Sequence, residues 1–375
     1  MIIMNVHLDN ILLFRNFDLC LSYPKKILGS TIENEFLAGR ERFRYRKLVV
    51  LMGANATGKT ALGKALMMIL NFISKKEPSI LFGLIDNHHH EASFSIDLAF
   101  PNHYLYRISA KVKAKKNMND DYLINDLSVD VKKSYIRTND SYETCSKRFH
   151  GESNLPSGHY IEELELVPAL SWLFEYPFAS EGKQRAINPA DPHLYLSVLR
   201  EVLKVLDPRI IDVIQLESVN DTYSIKYPNH NILIKDGLII EPEKLSSGTN
   251  DGIGVAQLIS SIRLHACDFF YCDEKFSHIH SDVEKAFLSL MIDLLSDDQQ
   301  LFFTTHNPDI LDMNLPNHSF AFLRRDEADD CKVSCVFASD FIKKETSSLR
   351  NAVENDLFSS APDTNRVYAL AESGR

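Results

Sequence analysis

Leu245-Ser246-Ser247-Gly248-Thr249 is a small-residue turn that opens a helix. Alone, such a stretch reads as a plain N-cap, in which a hydroxyl side chain accepts from the orphan N–H groups of the first helical turn. Hydroxyls and backbone N–H groups at a helix N-terminus also suit an anion. The order of the motifs around the stretch decides between these readings.

Upstream, Gly53-Ala54-Asn55-Ala56-Thr57-Gly58-Lys59-Thr60 matches GxxxxGK[ST] in full. It follows Lys47 to Met52, a short apolar run of the buried-strand type, and precedes Ala61 to Leu70, which has helical composition. Glycines there let the backbone wrap phosphates with inward N–H groups, and the helix N-terminus adds positive potential. The motif implies ATP and Mg²⁺, with Lys59 reaching the β- and γ-phosphates and Thr60 ligating the metal. Gly53, Asn55, Gly58, Lys59, Thr60 and Ala61 are the candidate nucleotide contacts.

Downstream, Asp268-Phe269-Phe270-Tyr271-Cys272-Asp273-Glu274 is an apolar strand ending in two acids. An exposed acidic turn after a core strand looks the same in isolation. With a phosphate loop upstream, Asp273 becomes a candidate Mg²⁺ holder and Glu274 a candidate general base for the attacking water. Leu301-Phe302-Phe303-Thr304-Thr305-His306-Asn307 repeats the design, about 30 residues later, with a helical stretch (Val283 to Leu295) between. That spacing returns the chain to an adjacent parallel strand, which brings His306 beside the γ-phosphate as a switch histidine. In this order, Ser246, Ser247 and Gly248 read as a signature motif aimed at ATP held by another protomer. One chain then carries half of each active site.

Composition bounds the rest. The chain has 375 residues, a formal net charge of −10 and a pI of about 5.8. The acidic balance disfavours a broad nucleic-acid surface and leaves room for a local groove, since phosphate binding needs clustered Lys and Arg. Two basic clusters, Lys111 to Lys116 and Arg40 to Lys47, read as solvated strands or loops. No apolar run reaches the ~18 residues of a membrane span, and the N-terminus lacks a basic leader region. Cysteines at 20, 145, 267, 272, 331 and 335 form no CxxC pair. They read as reduced thiols of a cytoplasmic protein.

Along the chain, residues 1–22 read as a strand pair. Glu91 to Phe100 and Tyr104 to Lys113 read as a hairpin, and Asp120 to Lys133 as a further strand. Residues 134–190 are polar and irregular with a helical piece. Trp172, in the apolar stretch Leu166 to Phe178, reads as core or as a partner-facing helix. Pro192 to Leu206 is an amphipathic helix, Ile210 to Ile240 holds short strands, and from 245 helix and strand alternate as in a parallel α/β core. The insert shows no sustained heptads and so no coiled-coil arm. His88-His89-His90 reads as a solvated loop. His278 and His280 fall where a loop across a dimer interface would lie, and a structural role fits them equally. No spacing after 320 forms a nuclease metal site, and the roughly 55-residue tail is small for a nuclease domain.

The ordered set resembles the ABC-type ATPases related to structural-maintenance-of-chromosomes (SMC) proteins and RecF. More narrowly, it is similar to the short, arm-less ATPases of bacterial abortive-infection, anti-phage and toxin–antitoxin systems, relatives of the ATPase half of the overcoming-lysogenization-defect nucleases. The narrower likeness rests on Leu245 to Thr249, on Asp273-Glu274 followed by Ile279-His280, on Phe303 to His306, and on Ala338 to Lys344. The resemblance implies an α/β fold: an ABC-type P-loop ATPase head with a mixed or parallel central sheet, an N-terminal antiparallel β-subdomain and a helical insert. Its parts fall at 1–133 (first ATPase lobe), 134–235 (insert), 236–320 (second lobe) and 321–375 (tail). It implies ATP-driven homodimers or higher homo-oligomers, Glu274 as base, His306 as sensor, and control of a separate effector, a nuclease or toxin. No Toprim nuclease domain fits. Ser247 and Thr249 depart from the common LSGGQ signature, and no glutamine loop is placed. A DNA-clamping repair ATPase of the RecF or SMC kind is the alternative reading.

Overall fold

Leu48–Met52 is buried along its whole length because both faces of the strand are covered. Val49 and Leu51 enter one hydrophobic core, and Leu48, Val50 and Met52 enter another. Phe269–Asp273 and Gln300–Thr304 repeat this: Phe269, Tyr271 and Phe302 face the first core, and Phe270, Cys272, Leu301 and Phe303 the second. Continuous apolar runs of this kind are what a parallel sheet covered on both faces requires.

The structure is a computed structural model that describes residues 1–27, 30–117, 120–149, 159–177, 190–216, 222–235, 238–326, 332–342 and 348–359. Its central sheet has six strands in the order Lys332–Phe337, Phe320–Asp326, Leu48–Met52, Gln300–Thr304, Phe269–Asp273, Trp172–Glu175. All neighbouring pairs are parallel except the first, which is antiparallel. The sheet is therefore mixed, with one antiparallel edge.

Helix Lys59–Lys75 covers the first face, burying Leu62, Leu66, Ile69 and Phe72. A five-stranded antiparallel sheet of Phe17–Cys20, Ile2–Asp9, Ala92–Ala99, Tyr104–Val112 and Leu127–Tyr135 closes the same core from outside. Phe72 meets Phe94 of that sheet edge-on, with ring centroids 6.1 Å apart. Helices Pro192–Leu206, Ser247–Arg263 and Ser281–Leu294 cover the second face. The first of these starts where the sequence suggests, with Pro192 at the first helical position and the Asp191 carboxylate accepting from the His193 and Leu194 N–H groups. Beside it lies an antiparallel sheet of Asp212–Gln215, Thr222–Lys226, Asn231–Lys235 and Leu238–Ile239.

Three expectations change. Trp172 packs against the first core, as one of its two readings had it, but from a strand and not a helix: Trp172–Glu175 pairs in parallel with Phe269–Cys272, its Leu173 and Phe174 facing opposite cores. Phe178, at the end of the apolar stretch read there, lies outside the described residues. The strand expected at 120–133 begins only at Leu127. Before it, the Asp126 carboxylate accepts from the Leu123 N–H at 2.7 Å and from Lys115 Nζ at 2.6 Å, which closes a 3₁₀ turn. Finally, residues 320–337 do not form a tail: Phe320–Asp326 pairs with Leu48–Met52 and completes the sheet. Glu327, Asp329, Asp330, Cys331, Lys343 and Lys344 lie outside the described residues. Among the described residues, no helix is long and apolar enough to cross a membrane, and no group of His, Cys, Asp and Glu side chains gathers as a metal cluster, His88 to His90 included.

Candidate functional site

The phosphate loop leaves the sheet at Met52 and turns on backbone that side chains rarely adopt. Gly53 has φ 151° and Gly58 φ 107°. A Cβ on Gly53 would meet the Leu323 carbonyl oxygen at 2.6 Å and Thr57 Oγ1 at 2.8 Å, so only glycine fits. The Thr57 hydroxyl donates to the Ala54 carbonyl at 2.8 Å, and Lys59 Nζ donates to the Gly53 and Ala54 carbonyls at 2.9 and 3.3 Å. The helix then begins at Lys59 with no side-chain cap and no acid in its first turn. Its first N–H groups, on Lys59, Thr60 and Ala61, have no partner within the helix and favour an anion. Asn55 stands exposed at the rim.

The helix is seated by a residue the sequence reading missed. Tyr271 is fully buried and donates to the Lys59 carbonyl at 2.6 Å. Its ring lies so close that a Cβ on Gly63 would approach it to 2.6 Å.

Strand alternation puts Asp273 on the same face as Phe269 and Tyr271, the face under the phosphate-loop helix. Thr60 Oγ1 accordingly donates to Asp273 Oδ2 at 2.6 Å. From the neighbouring strand, Thr304 Oγ1 donates to Asp273 Oδ1 at 2.7 Å and accepts from the Glu274 N–H at 3.0 Å. Thr304 is thus a second missed residue; it stands opposite Asp273 in the register and two positions before His306. Glu274 adopts φ 46°. Its Oε1 lies 2.8 Å from His306 Nε2 and 3.5 Å from Lys59 Nζ.

The two adjacent acids are driven apart. Burial pushes the Asp273 carboxyl up, partly opposed by the Thr60 and Thr304 hydroxyls. Glu274 is held below the usual carboxylate range, first by the hydrogen bond from His306 and then by Lys59. Burial lowers the Lys59 ammonium, opposed by Glu274 and Asp273. Burial therefore favours the neutral form of Asp273, while its neighbours favour the ionised form of Glu274.

Behind His306, Thr305 Oγ1 donates to Glu284 Oε1 at 2.7 Å, and Asn307 Nδ2 donates to Glu284 Oε2 at 2.7 Å. These bonds fix the backbone on either side of the histidine.

The signature stretch forms the N-terminus of helix Ser247–Arg263. Ser246 is the N-cap; its Oγ accepts from the Thr249 N–H at 3.1 Å and lies 2.7 Å from Thr249 Oγ1. Thr249, unusual as a signature residue, thereby completes the cap. Gly248 is buried against the next loop, where a Cβ would meet the His278 carbonyl oxygen at 3.1 Å. Ser246 and Ser247 are exposed. Among the described residues, no hydrogen bond or ion pair joins Ser246, Ser247 or Gly248 to Lys59, Thr60, Asp273, Glu274 or His306. His280 caps the following helix, its Nδ1 accepting from the Asp282 N–H at 3.2 Å. The strand flanking Asp273 continues into Tyr176-Pro177, so no glutamine stands at that edge among the described residues, and Gln184 lies outside them.

No family model and no curated protein matches the chain. Solved structures do. The SMC head solved bound to the C-terminal winged-helix domain of ScpA overlaps with a TM-score of 0.51 at 13% identity, over 91% of this chain and 100% of that chain. The fold is that of an ABC-type ATPase head. Weaker overlaps join it to the SMC head domain from Thermotoga maritima (TM-score 0.42, 13% identity, 90% of this chain and 99% of that) and to the recombination mediator RecF (0.42, 10%, 89% and 98%).

Proposed function

We propose that this head is an ATPase that acts as a dimerising switch for a separate effector. One observation carries the catalytic half: three strand or loop ends bring Lys59 and Thr60, Asp273 and Glu274, and His306 into one hydrogen-bonded and ion-paired cluster. In this reading the Gly53–Thr60 backbone and Lys59 hold the phosphates. The oxygens of Thr60 and Asp273, hard donors 2.6 Å apart at a buried carboxylate, fit Mg²⁺. When bound, that ion neutralises charge on the phosphates. Glu274, kept ionised, orients the attacking water and takes its proton. His306 keeps Glu274 in place and hydrogen-bonds toward the γ-phosphate. The exposed Ser246 and Ser247, unjoined to this cluster in their own chain, support a trans role at the site of a second copy.

The effector is proposed to belong to phage defence or a toxin–antitoxin module, acting in the cytoplasm. The motif likeness and the absence of heptads in the insert support this. The SMC head of similar fold was solved with a separate protein domain bound, which supports a separate partner here. The net charge of −10 weighs against a DNA clamp.

Glu274→Gln should keep ATP binding and slow hydrolysis about 100-fold or more. Mass in solution should rise with ATP for Glu274→Gln and not for the same chain carrying Ser246→Arg. Hydrolysis at the normal rate by Glu274→Gln removes the base assignment, and assembly unaffected by Ser246→Arg removes the trans site. ATP-dependent, salt-sensitive binding of duplex DNA would favour a clamp instead.

A further inference from the structure

The loop after the paired acids carries a buried cation that the proposed chemistry leaves unused. Lys275 directly follows Glu274 and is 5% exposed. Its Nζ lies 3.5 Å from Glu175 Oε2 and 3.6 Å from Asp251 Oδ1, both buried carboxylates. Each belongs to a different element. Glu175 ends the edge strand Trp172–Glu175, and Asp251 lies in the signature helix Ser247–Arg263. Asp251 Oδ2 is also 3.5 Å from Nδ1 of His278, on the same loop as Lys275.

The helix backbone itself is pressed onto this cluster. A Cβ on Gly254 would meet Glu175 Oε2 at 2.5 Å and Lys275 Nζ at 2.8 Å. In the same helix, Gly248 makes a close approach to the His278 carbonyl. One ammonium, on the residue after the catalytic acid, therefore meets the sheet edge at Glu175 and the signature helix at Asp251, beside the bare backbone of Gly254.

A buried cluster of this kind is weak evidence for stability. Well-packed apolar residues commonly replace buried ion pairs at no loss, whereas removing one partner leaves a buried charge uncompensated. What the cluster does provide is fixed geometry. Glu274 sits at φ 46°, in the left-handed region, and Lys275 is the next residue along the backbone.

We infer that Lys275 is a positioning residue that couples Glu274 to the signature helix of its own protomer, so that the state of one nucleotide site sets the placement of Ser246–Gly248 offered to the other. The inference rests on the proposed trans role of that stretch.

The test uses the full chain carrying Glu274→Gln, so that ATP persists, with and without the neutral triple Glu175→Gln, Asp251→Asn and Lys275→Met. Binding of trinitrophenyl-ATP at protein concentrations too low for assembly reports the phosphate loop. Sedimentation with ATP reports self-association. The triple should bind the analogue within threefold of its parent and self-associate at least tenfold more weakly. Association within threefold of the parent overturns the coupling. Gly254→Ala, which drives a methyl into the same cluster, should weaken association likewise and decides the question if the triple does not fold. A parent that binds ATP yet never self-associates refutes the dimer reading, and the coupling with it; a parent and triple that associate equally refute the coupling alone.

Discussion

Thr304→Val changes one atom's chemistry at nearly constant shape, and the structure says what that costs. The Thr304 hydroxyl donates to the buried Asp273 at 2.7 Å and accepts from the Glu274 N–H at 3.0 Å. Its loss leaves Asp273 Oδ1 without that donor. The Glu274 N–H falls back on the Thr304 carbonyl, 3.3 Å away. A hydrogen bond to a charged group contributes about 1.5–3 kcal/mol, so the urea midpoint should fall by an amount corresponding to about 2 kcal/mol. The two acids also lose orientation together. A further 1.4–2.8 kcal/mol of lost transition-state stabilisation corresponds to about 10–100-fold in single-turnover hydrolysis. Nucleotide affinity should change little, because the phosphate loop is untouched. Thr304→Ser keeps the hydroxyl and should recover most of the rate. Hydrolysis by the valine variant within twofold of wild type, in protein shown to be folded, would refute the positioning argument.

Gly63→Ala sets helix propensity against packing. Alanine favours the helix by about 1 kcal/mol, but its Cβ would lie 2.6 Å from a Tyr271 ring held between Phe174 and Phe302. Overpacking of about 1–3 kcal/mol should win, giving a net loss of about 1 kcal/mol in urea unfolding, and a stabilised variant would contradict it. Glu284 is raised by burial. Its contribution to stability is therefore complete below the ordinary glutamate pKa and is lost as pH rises through its raised folded value. Wild type should accordingly lose stability relative to Glu284→Gln as pH rises above the ordinary glutamate value of about 4.3, and a difference that stays flat or grows in favour of wild type as pH rises counts against the burial argument.

The motifs were legible because each is local: an apolar strand, then a turn carrying the reactive group. Gly53–Thr60, Asp273-Glu274 and His306 need no tertiary knowledge to be found. Thr304 and Tyr271 needed the register, since neither residue type signals anything until Asp273 and Lys59 stand beside it. Trp172–Glu175 was opaque for another reason. Four residues show no periodicity, and the strand is defined by a partner about 100 positions away. Phe320–Asp326 is the same case, read as tail because its neighbour in the sheet is Leu48–Met52. The departures at Ser247 and Thr249 split cleanly: Thr249 is explained by the cap it completes, and Ser247 is exposed, with nothing among the described residues to explain it.

The same connectivity shapes how the chain is made. Leu48–Met52 is flanked on both sides by strands that lie about 250 residues or more downstream. At about 5–20 residues per second, a ribosome leaves that apolar ribbon with two open hydrogen-bonding edges for roughly 10–50 s. Exposed edges of this kind template pairing with other chains. Substitutions in Phe320–Asp326, far from the phosphates, should therefore reduce the yield of soluble protein during synthesis more than the activity of the molecules that mature.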